Sequence, residues 1–138
     1  MLLRDIRGNA VQGVLFATSF FPNGSGTPTQ TGNQTPRGCT ITRTGVGVFR
    51  VLLDDETRIP NFLAATAEFT GDIDIDAKVT ATGTTSGQRY VDVTLVKMQI
   101  PTEDSLGVSS TIARAAVDVS AAATKFVSVF LWGDQVDS

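Results

Sequence analysis

The sequence predicts an all-β fold: a two-sheet antiparallel β-sandwich, jelly-roll-like, with a long polar loop or arm near the N-terminus. Three observations predict it. Short apolar and β-branched runs recur between clusters of Gly, Pro, Asn and Asp, which is how strands and their turns read. Several of these runs alternate apolar and polar residues with period two, the signature of a sheet with one dry face. No helical period is sustained outside one alanine-rich stretch. The chain has 138 residues, 41% of them hydrophobic and 18% charged, a size and composition suited to one globular domain, 1–138.

The N-terminal segment 1–9 is short and charged, with Arg4, Asp5 and Arg7. The first strand is expected over Ala10–Thr18, where neither alternating set is cleanly polar, so both faces are expected to be covered. From Phe20 to Gly38 the chain carries Pro22, Gly24, Gly26, Pro28, Gly32 and Pro36 among Ser, Thr, Asn and Gln. A loop of that length is usually functional or disordered. It is read as an extended arm that orders on a neighbour, rooted by Phe20 and Phe21. Strands follow at Cys39–Thr44 and Val46–Leu53, parted by Gly45, with Phe49, Val51 and Leu53 on the core side. Asp54–Arg58 reads as a solvated turn. Leu63–Phe69 is the next strand, with Leu63, Ala65, Ala67 and Phe69 sharing a face.

Asp72–Val79 shows the clearest alternation: Asp72, Asp74, Asp76 and Lys78 oppose Ile73, Ile75, Ala77 and Val79. The three aspartates resemble the start of a calcium loop, but that loop needs Gly at its sixth position and Glu at its twelfth. Ala77 and Gly83 stand there. A strand would also space the carboxylates about 7 Å apart, too far for one ion to gather all three. Thr80–Arg89 reads as a Gly/Thr/Ser turn. Tyr90–Ile100 reads as the longest strand, with a bulge near Leu95 where the apolar set changes sides, and Pro101 ends it. Over Ser109–Thr124 helix and strand compete, because alanine favours helix while the residues also alternate. Strand, or strand plus a short turn, is the expectation. The last strand sets Phe126, Ser128, Phe130 and Trp132 against Val127, Val129 and Leu131.

The missing residue types narrow the chemistry. The sequence contains no histidine and one cysteine, Cys39. That removes Ser-His-Asp and Cys-His nucleophiles, histidine-ligated metals, an intrachain disulfide and any multi-cysteine metal site. Cys39 reads as a small strand residue, since nothing around it in sequence would activate a thiol. The net charge of −3 offers no general attraction to nucleic acid or to anionic lipid. Charges interrupt the first residues and no stretch of about 18 apolar residues occurs, so a product made in the cytoplasm without a signal peptide is expected. Asn23-Gly-Ser and Asn33-Gln-Thr match the glycosylation pattern, and are read as chance matches in a stretch rich in Asn, Ser and Thr. No catalytic, cofactor-binding or metal-binding residue is predicted. Asp54, Asp55, Glu56, Glu68, Glu103 and Asp104 are mostly turn residues, and Gly24-Ser-Gly and Gly45-Val-Gly lack the surroundings of a nucleophile elbow or a phosphate loop.

The last strand carries the functional expectation. If only one of its sides lies in the core, its aromatic stripe has to be covered by something. Aromatic residues are enriched at the centres of protein contacts, so Phe20, Phe21, Phe126, Phe130 and Trp132 form the predicted interface. The polar N-terminal third, Gly45-Val-Gly-Val-Phe-Arg-Val-Leu-Leu-Asp-Asp, the alanine-threonine strand Leu63–Phe69 and the closing Phe126-Val-Ser-Val-Phe-Leu-Trp together resemble the capsid decoration, or cement, proteins of tailed bacteriophages. The likeness runs from about Arg37 onward. It implies a virion protein on the capsid exterior, often a trimer, that bridges capsomers and stabilises the shell. Its partners would be copies of itself and the major capsid protein, and 1–9 and 20–38 would be the clasping segments. Another virion component, in tail, fibre or head completion, is an alternative. A carbohydrate-binding sandwich is a further one, and it requires Trp132 and Tyr90 to meet on one surface.

Overall fold

The computed structural model describes residues 2–7, 12–30, 38–54, 61–99 and 113–134. Ten strands occur among them: β1 (Leu2–Arg7), β2 (Gln12–Phe21), β3 (Thr29–Gln30), β4 (Cys39–Gly45), β5 (Val48–Leu53), β6 (Asn61–Thr70), β7 (Ile75–Thr85), β8 (Gln88–Gln99), β9 (Ala113–Ala116) and β10 (Phe126–Asp134). They form two antiparallel sheets. Sheet A has the order β1-β2-β10-β6, with β3 beside the end of β2; sheet B has the order β4-β5-β8-β7, with β9 beside the end of β8. This is the expected sandwich. The order does not spell out the expected jelly roll, since β4–β5 and β7–β8 are hairpins inside one sheet.

Alternation in the sequence becomes the core directly. Phe16, Phe20, Val127, Val129 and Leu131 face inward from sheet A, and Ile41, Phe49, Val51, Leu53, Val91, Val93 and Leu95 from sheet B; all are buried. The Phe20 and Phe49 rings meet across the sandwich with centroids 5.0 Å apart. Cys39 is buried too, its thiol directed at the Thr18 hydroxyl across the sheets at 3.7 Å. Burial pushes the Cys39 pKa up, which keeps the thiol protonated and inert.

Several boundaries differ from expectation, each for a local reason. The run beginning at Asp72 is not strand at its start. Gly71, at φ 118°, leads into a turn in which the Asp72 carboxylate accepts from the Asp74 N–H at 3.2 Å, so β7 begins only at Ile75 and Ile73 is fully exposed. Asp side chains compete for the backbone in this way, favouring turns. Thr80–Arg89 is not one long turn but the end of a hairpin. Its reversal is confined to Ser86 and Gly87, both at positive φ, as a two-residue hairpin turn requires.

The expected bulge at Leu95 is absent. It lies instead in the partner strand, at Thr80, between the pairs Val79–Val93 and Ala81–Asp92. β8 itself stays regular while its neighbour changes, from β5 up to Thr94 to β9 from Val96 onward. The β4–β5 reversal falls at Val46–Gly47 rather than at Gly45.

The first part of the expected arm is folded back. Thr29 and Gln30 pair with Phe21 and Phe20, Pro22 and Pro28 are buried, and the Gly24 N–H donates to Val119 O at 2.7 Å. Residues 31–37, like 1, 8 and 9 of the N-terminal segment, 10 and 11 at the start of the expected first strand and the expected turn at 55–58, lie outside the described residues. In the alanine-rich stretch, strand prevails over 113–116. The chain then crosses from sheet B to sheet A as an irregular strap, 117–125.

That strap is fastened at the tip of the β4–β5 hairpin. Asp118 accepts two bonds from the Arg43 guanidinium, at 3.0 and 2.7 Å, and one from the Gly47 N–H at 2.8 Å. The Arg43 bonds, then the Gly47 bond, hold the Asp118 carboxyl below its ordinary pKa. Beside it Gly47 O accepts from Leu95 N–H at 2.8 Å, and Leu95 O accepts from Val117 N–H at 3.0 Å. Only glycine fits at 47: φ is +65° and an added Cβ would stand 2.4 Å from Val117 O.

Candidate functional site

The two outer faces of the sandwich differ in chemistry, and the strand registers show how. On sheet B the outward positions of β5, β8, β7 and β9 bring Arg50 against Asp92 in a two-bond pair at 2.8 and 3.0 Å. The same guanidinium lies 3.8 Å from the centroid of the Tyr90 ring. Tyr90 in turn covers Gly83, where an added Cβ would fall 2.6 Å from the phenol oxygen. Arg114 pairs with Asp76 at 3.2 Å, the Thr80 hydroxyl lies 3.0 Å from that of Thr94, and Thr40, Thr42 and Lys78 are exposed. This face is largely polar, with Met98, on the same side of β8, as its one exposed large apolar side chain among the described residues, at 47%.

On sheet A the described outward positions are, Glu68 apart, apolar, small or hydroxyl-bearing. β10 contributes Phe126, Ser128, Phe130 and Trp132. Opposite them in register stand Ser19 and Ala17 of β2, and Thr70, Glu68, Thr66 and Ala64 of β6. Phe21 joins the face at the end of β2, its ring edge-on to Phe126 with centroids 6.2 Å apart. Phe130, at the middle of β10, is 41% exposed, large for a phenylalanine in a central strand. Glu68 is the one ionisable group among the described side chains of this face. Phe21, Phe126 and Trp132 beside it are half-buried.

Four of the five predicted interface residues therefore come together: Phe21, Phe126, Phe130 and Trp132. The fifth, Phe20, does not. It is fully buried against Phe49, because adjacent strand residues point to opposite sides and Phe21 takes the outer one. The sequence reading missed the small residues that keep the face flat, Ala17, Ala64 and Thr66. Their signal was the alternation of β6, which had been used only for its inner set.

Tyr90 and Trp132 stand on opposite outer faces, since their neighbours Val91 and Leu131 both point into the core. The pair of aromatics that a carbohydrate site would need is thus not assembled. Among the described residues, no group of three or more Cys, Asp or Glu side chains is placed to hold a metal ion. Comparison of the chain with protein-family models, curated proteins and solved structures finds no match.

Proposed function

We propose that this chain is a structural virion protein that decorates and stabilises a bacteriophage capsid from outside, bridging capsomers as a homo-oligomer. It acts by contact alone, without catalysis or cofactor, and its partners are copies of itself and the major capsid protein. It is made in the host cytoplasm and resides on the particle, away from nucleic acid and membrane. The observation that carries the reading is the asymmetry of the two outer faces. Sheet B ends mostly in paired charges and hydroxyls, whereas sheet A ends in Phe21, Phe126, Phe130 and Trp132 with a single carboxylate, Glu68, among the described side chains. A face of that composition gains by packing on a protein surface, at roughly 25 cal/mol per Å² of apolar area removed from water.

A place elsewhere in the virion, in tail, fibre or head completion, would employ the same face. The test is to purify virions from infected cells and label them with antibodies raised against this chain. The reading expects many copies per particle, on the shell surface. Labelling confined to the tail would move the protein within the virion, and its absence from particles would refute the virion role.

A further inference from the structure

We infer that two copies of this chain pair through the edge of β6 that faces away from β10, antiparallel about a two-fold axis at Thr66, so that sheet A runs on from one copy into the other. The inference rests on the self-association proposed above and names its contact. The edges of this sandwich are not alike. β2 is covered on its outer side by β1 and β3. β7, the edge of sheet B, carries the bulge at Thr80 and the exposed charges Asp76 and Lys78; β4, the opposite edge, is seven residues long and carries Arg43 near its end.

Bulges, charges and short length are how proteins keep edge strands from pairing with other chains. β6 has the least of this protection. It spans ten residues, contains no Pro, Lys or Arg, and among the described residues pairs only with β10. Its one irregularity, at Leu63 between the pairs Trp132–Ala64 and Gly133–Phe62, lies near its start. From Ala64 to Thr70 its ladder with β10 is regular.

The register follows from charge. With the axis at Thr66, the two threonines face each other, a favourable cross-strand pair, and each Glu68 stands opposite Ala64 of the other copy. The two glutamates are then four residues apart along the strands, about 14 Å. An axis at Ala67 would bring them to diagonal neighbours, about 7–8 Å apart, and is disfavoured. Pairing at Thr66 also sets the two aromatic outer faces side by side in one continuous sheet. The surface available to a shell is doubled without being consumed by the dimer.

The test measures the dimer dissociation constant of the intact chain by light scattering and sedimentation, together with Ala64→Lys and Ala64→Glu. Ala64 is exposed, so both variants should fold, as thermal melts would verify. In the inferred register each substitution acts twice per dimer against Glu68 of the other copy. Ala64→Lys should tighten the dimer and Ala64→Glu weaken it, each by about two- to thirty-fold. A monomer at all concentrations overturns the pairing. So does a trimer, or a dimer indifferent to both substitutions. A monomer would also remove the self-association proposed above, whereas a trimer or an indifferent dimer would keep it and remove only this contact; the place in the virion is tested separately, by the protein content of purified particles.

Discussion

Replacing Gly47 by alanine strikes the point where the β4–β5 hairpin, β8 and the strap 117–125 meet. Two penalties arise. The residue sits at φ +65°, a conformation that costs an L-residue with a side chain about 1–2 kcal/mol. The new methyl group would also stand 2.4 Å from Val117 O, 2.9 Å from Val117 N and 3.0 Å from Leu95 O. These are backbone atoms tied into the sheet, so the hairpin tip has to lift. Lifting strains the Gly47 N–H bond to Asp118 and the Leu95 N–H bond to Gly47 O, each worth about 0.5–1.5 kcal/mol net. The total is about 2–5 kcal/mol.

With an unfolding entropy of about 2.1 cal/mol/K per residue, a chain of 138 residues loses about 3.5 °C of Tm per kcal/mol. Gly47→Ala should therefore lower Tm by about 7–17 °C. Gly87→Ala is the control: φ is +81° there but nothing lies within 4 Å of an added Cβ. It should show the backbone penalty alone, about 3–7 °C. Differential scanning calorimetry on both variants decides. Equal losses would refute the reasoning, because the close approach at Gly47 would then carry no weight.

Since the Asp118 pKa is depressed in the folded chain, its ionised form contributes stability that is present above the ordinary carboxylate value of about 3.9 and is lost as pH falls through the lower folded value. Asp118→Asn should accordingly melt below the wild type at pH 7, with the gap closing in strong acid; a gap that does not change with pH would contradict the latch. Cys39 should resist a thiol reagent in the native protein and react stoichiometrically after unfolding in urea, whereas fast native labelling would contradict its burial. Phe49→Ala, which empties the centre of the core beside Phe20, should cost about 3–5 kcal/mol. Phe130→Ser, on the outer face, should leave Tm within a few degrees, and a large loss there would mean that the face is covered within the chain itself.

How far the sequence discloses this fold depends on the local signal. Phe49, Val51 and Leu53, and Val127, Val129 and Leu131, alternate without interruption, and each set is buried as expected. At Asp72–Asp74 alternation misleads, because a run of Asp and Ile satisfies period two whether it is extended or turned. Gly71 and the Asp72 carboxylate decide for the turn. At Thr80–Arg89 composition misleads in the other direction. Thr, Gly and Ser read as loop, yet the ladder with β8 runs through to the pair Thr85–Gln88, and Gly83 is needed under the Tyr90 ring. The change of apolar face after Leu95 comes from β8 exchanging β5 for β9, a tertiary event that no local pattern encodes.

The site was legible in part for the same reason. The aromatic stripe of β10 is local and was visible; its flat surroundings on β2 and β6, and the Arg43–Asp118 latch spanning 75 residues, depend on topology.

The proposed attachment of this protein to its assembly runs through the outer face of sheet A. Its most direct test is competition: wild type and Phe130→Asp are supplied together during infection, and mass spectrometry measures their ratio in purified particles against their ratio in the soluble fraction. The folded variant should be depleted from particles at least ten-fold, as expected when an interface of this kind loses about 1.4 kcal/mol or more. Incorporation of both chains in proportion to their supply would contradict it.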